Sequence, residues 1–304
     1  MFLFAFVCCG GCESCSEKPK TDSSSFGNAS ESGPPLLTGR SAPFSKPPLL
    51  LDGELDLDNR YSFTVRVKAN SSEVHKECGG VLINSQWVLT AAHCVCMRRT
   101  VRGPDNKVMT LLDSSSCAPT ATVTGVVYSQ PLQHEAMSSL RERRSGAVRP
   151  HPSFQLSMDA QGAIESSRAD LALIQLSEPA MGHSAPIKLA DTETKAGEML
   201  VTVGYGDDGS HPGGDEDRRF SSHRIVKLPE SGGDLIVLAP PTRPAYQDDS
   251  GGPCLRTVGG VQTLVGISRR GLGTEPTCTS THVYKEWLLE ELRHAPPPRP
   301  PMPQ

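Results

Sequence analysis

Apolar residues occupy every second position in several short stretches of the chain. Tyr61, Phe63, Val65 and Val67 form one such series, which is the period of a strand with one buried face. Short apolar runs bounded by turn residues recur further along and indicate more strands. These predicted strands lie at 79–90 (divided by the turn Asn84-Ser85), 121–128, 169–176, 198–206, 224–228, 234–239 and 263–271.

One segment near the C-terminal end has the period of a helix. Val283, Trp287, Leu288 and Leu292 share a face in the segment 282–294, and the basic residues at its end suit the negative end of a helix dipole. The polar segments 138–146 and 206–219 carry no apolar pattern and are predicted to be loops. The sequence thus predicts many strands, one helix and two long polar connections.

Composition narrows the fold class and the type of partner. The 28 glycines and 26 prolines break the chain into short segments, which is typical of an all-β sandwich or barrel. With 30 lysines and arginines against 34 acidic residues, the formal net charge of −4 argues against a nucleic-acid partner. No run of 18 or more apolar residues occurs, so no transmembrane segment is predicted.

The two ends of the chain differ in composition from its centre. Residues 1–15 include the apolar stretch MFLFAFVCCGGC, which has no basic region before it and is interpreted as an export or lipoprotein-type signal. Residues 16–49 are rich in serine and proline and indicate a linker or pro-segment, and residues 294–304 form a Pro-rich tail. We therefore expect a folded domain at 50–293 that is secreted, or attached to the cell envelope through a lipid anchor.

The cysteines fall into two groups. Four of the ten lie within the first fifteen residues, and the other six lie inside the expected domain, at Cys78, Cys94, Cys96, Cys117, Cys254 and Cys278. An even set in a chain rich in glycine and proline indicates three disulfides and an oxidising compartment. Six cysteines allow fifteen pairings, so spacing alone does not select one.

Three short stretches carry candidate nucleophilic chemistry. VLTAAHC places His93 just after an apolar strand, and SRADLALIQL places Asp170 at the head of another, where an acid needs a partner. DDSGGPC places Ser250 in a turn whose glycines allow another backbone to approach closely. A serine hydroxyl becomes a nucleophile when a histidine takes its proton and an acid holds the histidine in the right tautomer.

The stretches INSQWVLTAAHC, DLALIQL and DSGGP, in this order, resemble the chymotrypsin-like (trypsin-fold) serine peptidases, and the chain is interpreted as one of the bacterial secreted type. The resemblance covers roughly 50–293 and implies two six-stranded antiparallel β-barrels with a C-terminal α-helix. It also implies that His93 is the general base, Asp170 its orienting acid and Ser250 the nucleophile. The backbone N–H groups of Ser250 and Asp248 would form the oxyanion hole.

The same resemblance bears on the disulfides. Cys78–Cys94 matches the bridge that the family places around its histidine. Cys96–Cys117 and Cys254–Cys278 are then the simplest pairing of the other four cysteines.

The sequence departs from the family pattern at three places. Asp248 stands where the family has the oxyanion-hole glycine. The family also frees an N-terminus that pairs with the acid before the serine, here Asp249, but the matching residue Leu50 follows no lysine or arginine. The specificity pocket has Pro244 at its floor, and its wall is the stretch Ser268, Arg269, Arg270 and Gly271, with an arginine expected at the pocket mouth.

The predicted function is a serine endopeptidase that acts on proteins or peptides and can meet proteinaceous inhibitors. The alternative is a catalytically silent homologue that binds proteins. An esterase of another fold is disfavoured because the chain lacks Gly-x-Ser-x-Gly and has the order His, Asp, Ser. No cofactor or metal is expected: the acids Asp52, Glu54, Asp56 and Asp58 read as a solvated edge, and His75, His134, His183 and His223 as solvated side chains.

Overall fold

The structure is a computed structural model that describes residues 53–74, 77–102, 107–129, 138–180, 186–206, 217–240, 250–270 (without the side chain of Arg270) and 275–293. All of them belong to one compact unit, Pro47–Gln304. No helix within these ranges is long and apolar enough to cross a membrane.

The described residues form eighteen strands, two short 3-10 helices (Ala92–Cys94 and Ser114–Ser116) and one α-helix, α1 (Lys285–Arg293). The strands are β1 (Glu54–Leu55), β2 (Thr64–Ala69), β3 (Glu77–Asn84), β4 (Trp87–Thr90), β5 (Arg99–Arg102), β6 (Val108–Asp113), β7 (Thr120–Tyr128), β8 (Ser139–Pro150), β9 (Gln155–Met158), β10 (Ile164–Arg168), β11 (Ala172–Leu176), β12 (Lys188–Leu189), β13 (Met199–Gly204), β14 (Arg219–Lys227), β15 (Leu235–Leu238), β16 (Pro253–Val258), β17 (Val261–Arg270) and β18 (Pro276–Ser280).

Two closed barrels make up the fold. The first barrel joins six strands in the order β11-β4-β3-β2-β7-β8. The second runs β14-β13-β16-β17-β18-β15 and closes because β15 also pairs with β14. The prediction of two six-stranded antiparallel β-barrels with a C-terminal α-helix is confirmed.

Alternating side chains fill each barrel. Val65 and Val67 on β2 point into the first, on the same face of the sheet as Leu82 on β3 and Val88 on β4. The second barrel is packed with Leu200, Ile225, Ile236, Leu238 and Val265, among others. This burial of every second side chain is what the alternation in the sequence predicts.

Six of the described strands lie outside the two barrels. β1 pairs with β14 at the edge of the second barrel, and β12 pairs in parallel with β17. Two segments between strands of the first barrel, β5–β6 after β4 and β9–β10 after β8, form a separate four-stranded sheet in the order β10-β9-β6-β5. The sequence does not predict this sheet.

The prediction of a loop at 138–146 is wrong. Most of this stretch belongs to β8, which pairs with β7 on one side and β11 on the other. Nearly all of its charged side chains lie on the outside of the barrel, so no apolar alternation marks the strand, and only Gly146 is buried. Backbone pairing on both sides, rather than a buried face, holds this strand in place.

Three side-chain predictions are also corrected. Val283 precedes α1 and is exposed, so the buried face of the helix is formed by Leu288 with Trp287 and Leu292 beside it. Asp56 is fully buried rather than solvated, because Arg218 neutralises it. His223 is buried and hydrogen-bonded to Ser221. His75, His134, His183 and Asp52 lie outside the described residues.

Candidate active site

His93 is held at the end of a buried strand. β4 is buried along its whole length, and the chain leaves it through Ala91 in an extended conformation to enter the 3-10 helix Ala92–Cys94. A disulfide joins Cys94 to Cys78 on β3. The imidazole is therefore carried by a backbone that the first barrel fixes from both sides of the residue.

Asp170 binds His93 through both of its carboxylate oxygens. Oδ2 lies 2.7 Å from His93 Nδ1, and Oδ1 accepts a hydrogen bond of 2.9 Å from the backbone N–H of His93. The first contact places the proton on Nδ1, since the carboxylate can only accept it. Nε2 of His93 is then the unprotonated nitrogen, which is the tautomer that a general base needs.

The environment of Asp170 keeps it ionised. Complete burial disfavours the charged form, but the charge and hydrogen bonds of His93, with the charge of Arg269, outweigh it and hold the pKa of the Asp170 carboxyl below its ordinary value. A buried acid of this kind is stable only with such partners. Asp170 thus serves as a fixed negative charge behind the imidazole.

Ser250 comes from the second barrel and is packed against the first. Its carbonyl accepts a 2.7 Å hydrogen bond from the N–H of Gly79 on β3, next to Cys78. Gly251 has φ +88°, and a Cβ there would lie 2.2 Å from the carbonyl oxygen of Gly79 and 2.5 Å from Thr90 Oγ1. Only glycine fits this close approach, which sets the serine beside the strands that carry His93.

Ser268 holds the serine turn from the other side. Its carbonyl accepts from Gly251 N–H at 2.7 Å, and its N–H donates to the Gly252 carbonyl at 2.8 Å. Ser250 is thereby fixed between β3 of the first barrel and β17 of the second. Its own N–H has no hydrogen-bond acceptor among the described residues.

Ser250 and His93 are not hydrogen-bonded to each other within the described part of the chain. His93 Nε2 lies 3.7 Å from Cys94 Sγ. Catalytic hydrogen bonds are often long before substrate binds. Among the described residues, the polar contacts of the site therefore join His93 to Asp170 but not to Ser250.

Cys78, His93 and Cys94 lie close enough together to suggest a metal centre. Both cysteines are consumed by their mutual disulfide, so they offer no thiolate to a metal. The imidazole is the one remaining ligand of this cluster, and a single ligand does not hold an ion.

The structure joins the three cysteine pairs that the sequence analysis names, Cys78–Cys94, Cys96–Cys117 and Cys254–Cys278. Other site residues named there fall outside the described residues. These are Leu50, Pro244, Asp248, Asp249 and Gly271, and of Arg270 only the backbone, paired with Pro276, is described.

Arg269 lies beside the acid of the site rather than exposed at a pocket mouth. Its side chain is 5% exposed and donates to Ser167 Oγ on β10, and its charge acts on Asp170. Its Nε is buried and has no hydrogen-bond partner in the part of the chain that the structure describes. Sequence reasoning placed this arginine in the pocket wall and missed its electrostatic contact with Asp170.

Comparisons with known proteins agree with this geometry. Residues 52–288 match the family model described as Trypsin. Mouse serine protease 56 is 29% identical over 255 residues, which is 74% of this chain and 36% of that protein. Mouse kallikrein 1-related peptidase b21 is 34% identical over 134 residues, 42% of each chain, and Anopheles gambiae serine protease SP24D is 27% identical over 63% of this chain and 61% of its own.

The chain spans less than half the length of the mouse relatives, at 36% and 42%. Among solved structures, the scabies mite inactivated protease paralogue S-I1 superposes with a TM-score of 0.53 at 22% identity, covering 80% of this chain and 99% of that one. The structure titled GrC gives 0.54 at 16% identity, covering 81% and 100%. These two likenesses show the fold, and the family model covers most of the chain. The chain therefore belongs to the trypsin family.

Proposed function

We propose that this protein is a serine endopeptidase that cleaves peptide bonds through an acyl-enzyme on Ser250. The observation that carries the proposal is the double contact of Asp170 with His93, at 2.7 Å to Nδ1 and 2.9 Å to the backbone N–H. This contact fixes both the orientation and the tautomer of the ring.

In the proposed mechanism, substrate binding brings Ser250 Oγ within hydrogen-bonding distance of His93 Nε2. Nε2 takes the hydroxyl proton as Oγ attacks the carbonyl carbon, and Asp170 stabilises the imidazolium that forms. The backbone N–H of Ser250 donates to the oxyanion, and the N–H of Asp248 would be the second donor. The imidazolium then protonates the leaving amine. In the second half of the reaction, His93 Nε2 takes a proton from water as the water oxygen attacks the acyl carbon. The imidazolium then returns the proton to Ser250 Oγ as the acyl group leaves.

Protein or peptide substrates follow from this chemistry and from the serine proteases among the relatives. Proteinaceous inhibitors that occupy the same cleft are part of the proposal. So are export of the chain, either as a secreted protein or as one attached to the cell envelope by a lipid anchor, and the bacterial secreted type. The relatives reported above come from mouse and mosquito, so the bacterial type is a sequence-based proposal only.

The second candidate function is a silent homologue that binds proteins through the cleft. Two departures of the sequence favour it: Asp248 stands at the oxyanion-hole position, and Leu50 follows no basic residue. Retention of His93, Asp170 and Ser250 together favours the endopeptidase.

Covalent labelling with a fluorophosphonate probe separates the two. The full chain, with a specific cleavage site engineered just before Leu50, is treated before and after cutting and read by intact mass. One adduct on the cut chain and none on Ser250→Ala supports the endopeptidase, whether or not the uncut chain reacts. A cut and folded chain that takes no adduct contradicts it and supports the binding module.

A further inference from the structure

The residue before Asp170 has a backbone conformation that L-amino acids seldom adopt. Ala169 has φ +52° and is fully buried. Non-glycine residues with positive φ are uncommon, and alanine has no side-chain hydrogen bond to compensate the strain. Strain of this kind persists only where the surroundings impose it, and it concentrates at functional sites.

This conformation begins a tight turn around Asp170. The N–H of Leu171 donates to the carbonyl of Ala169 at 2.7 Å, so Asp170 is the central residue of a three-residue turn. The turn is also anchored beyond itself, because the N–H of His151 donates to the carbonyl of Leu171 at 2.9 Å. The direction in which the Asp170 carboxylate leaves the backbone is therefore set by the conformation of Ala169.

A second buried acid holds this conformation. Asp234 is 4% exposed, and its Oδ2 accepts the N–H of Ala169 at 2.8 Å and the hydroxyl of Tyr284 at 2.7 Å. Burial and the neighbouring carboxylate of Asp234 raise the pKa of Tyr284 well above its ordinary value, so the phenol remains a donor at any working pH. The ring of Tyr284 is itself packed against His151, with centroids 4.7 Å apart.

Asp234 has no ion-pair partner among the described residues. A buried carboxylate without a cation is costly, and an apolar residue would serve the packing at lower cost. A carboxylate does, however, make charge-assisted hydrogen bonds that are stronger than neutral ones. The cost of burying Asp234 is explained if the strained N–H of Ala169 needs a strong acceptor.

Asp234 also connects the two barrels at this point. It immediately precedes β15, a strand of the second barrel, and Ser250 comes from the same barrel. Asp170 precedes β11 of the first barrel. We infer that Asp234, braced by the Tyr284 hydroxyl, is a positioning residue that aims Asp170 at His93 by holding the N–H of Ala169. The inference rests on the proposed function for its catalytic consequence, but the alignment itself can be observed separately.

The test uses Asp234→Asn, Asp234→Ala and Tyr284→Phe in the full chain cut before Leu50. Two quantities are measured: the rate of labelling at Ser250 across pH, and the downfield proton resonance of His93 Nδ1, which reports its hydrogen bond to Asp170. Asp234→Ala is expected to slow labelling by ~100-fold, because a displacement of about 1 Å in a catalytic group has an effect of that order. The acid limb of the labelling profile moves to lower pH as the imidazolium loses its aligned carboxylate.

Tyr128→Phe is the matched control. It removes one buried phenol hydroxyl, which accepts from Arg218 N–H, at a place that does not contact the triad. It is expected to lower the melting temperature without moving the His93 resonance. Tyr284→Phe and Asp234→Asn are expected to shift that resonance at equal or smaller loss of stability.

Each outcome decides the question. A wild-type resonance and labelling rate in Asp234→Asn and Tyr284→Phe, or changes no larger than in Tyr128→Phe, overturn the positioning role. A shifted resonance in a protein that the probe never labels supports the positioning role and contradicts the endopeptidase. A shifted resonance with slowed labelling supports both.

Discussion

Asp56 and Arg218 form a fully buried ion pair, with Arg218 Nε 2.7 Å from Asp56 Oδ2 and neither side chain exposed. The arginine also donates to the carbonyl of Val126 at 2.7 Å. The carboxylate accepts from the N–H groups of Arg60 and Tyr61 at 2.8 and 2.9 Å. The pair therefore fastens the first described residues of the chain to the start of β14 in the second barrel.

Breaking this pair from one side should destabilise the protein strongly. Arg218→Met leaves the Asp56 carboxylate buried without a cation and is expected to lower the free energy of unfolding by about 3–5 kcal/mol. The double variant Asp56→Leu/Arg218→Met removes both charges and should lose less, about 1–3 kcal/mol, since the N–H groups of Arg60 and Tyr61 still lose their acceptor. Denaturant unfolding measures both. This account is contradicted if the loss of unfolding free energy in the double variant equals the sum of the losses in Asp56→Leu alone and Arg218→Met alone.

Gly251→Ala should disrupt the serine turn. A methyl group there would lie 2.2 Å from the Gly79 carbonyl oxygen, so the backbone on one side must move. We expect loss of labelling at Ser250 and a large drop in melting temperature. Gly260→Ala is the control, because Gly260 also has positive φ, at +82°, but no atom lies within 4 Å of the added carbon. That variant should lose only about 1–2 kcal/mol, the cost of left-handed backbone for a residue with a Cβ.

His151 should make stability depend on pH. Burial, with a smaller contribution from the charge of Arg168, lowers the pKa of its imidazole below the ordinary 6.5, although Asp234 acts in the opposite direction. Between the two pKa values of His151, the unfolded chain binds a proton on this imidazole more readily than the folded protein does. The stability contributed by neutral His151 is therefore fully present above about pH 6.5, the pKa of the unfolded chain. It is lost as the pH falls from that value to the lower pKa of the folded protein.

His151→Phe keeps an aromatic ring against Tyr284 and Trp287, whose ring centroids each lie 4.7 Å from that of His151 in the wild type. The phenylalanine side chain cannot be protonated. Urea unfolding at pH 7.5 and at pH 5 should show a smaller loss of stability on acidification in this variant than in the wild type. His223 is buried with a lowered pKa as well, so the difference between the two proteins is the informative quantity. Equal losses would show that His151 is not the titrating group.

The sequence predicts those strands in which apolar side chains face the core and polar side chains face the solvent. Strand β2 alternates, and its apolar positions are the buried ones. His93, Asp170 and Ser250 could be singled out because the stretches around them resemble, in this order, three motifs of the chymotrypsin-like peptidases. β8 could not be predicted from side-chain polarity. It is held by backbone hydrogen bonds to β7 and β11, and many of its side chains are charged, so its sequence shows no apolar alternation.

The partners of the site could not be predicted for a related reason. Asp234 precedes a strand and Arg269 lies within one, and neither position shows in the sequence what its polar atoms will meet. Both contacts join segments distant along the chain, since Asp234 reaches the N–H of Ala169 before the first barrel's strand β11, and Arg269 reaches Ser167 in the separate four-stranded sheet. Contacts between residues so distant along the chain have no local pattern.

Arg269 gives a last prediction about the site. Its buried charge helps keep Asp170 ionised, and it competes with the imidazolium of His93 for the same carboxylate. Arg269→Met removes this competitor, so a proton on His93 is better stabilised. The acid limb of the pH profile for labelling at Ser250 should move to higher pH, with the rate at the plateau little changed.

Arg256→Met is the control, because Arg256 is also largely buried but donates to the carbonyls of Thr192 and Glu193 and does not contact Asp170. It should leave the pH profile in place. An acid limb that stays put in Arg269→Met, or moves equally in both variants, would mean that the charge of Arg269 is not coupled to the triad. A fall in the plateau rate without a shift of the limb would instead assign Arg269 to packing against Ser167, since lost packing changes the fraction of well-formed sites at every pH alike.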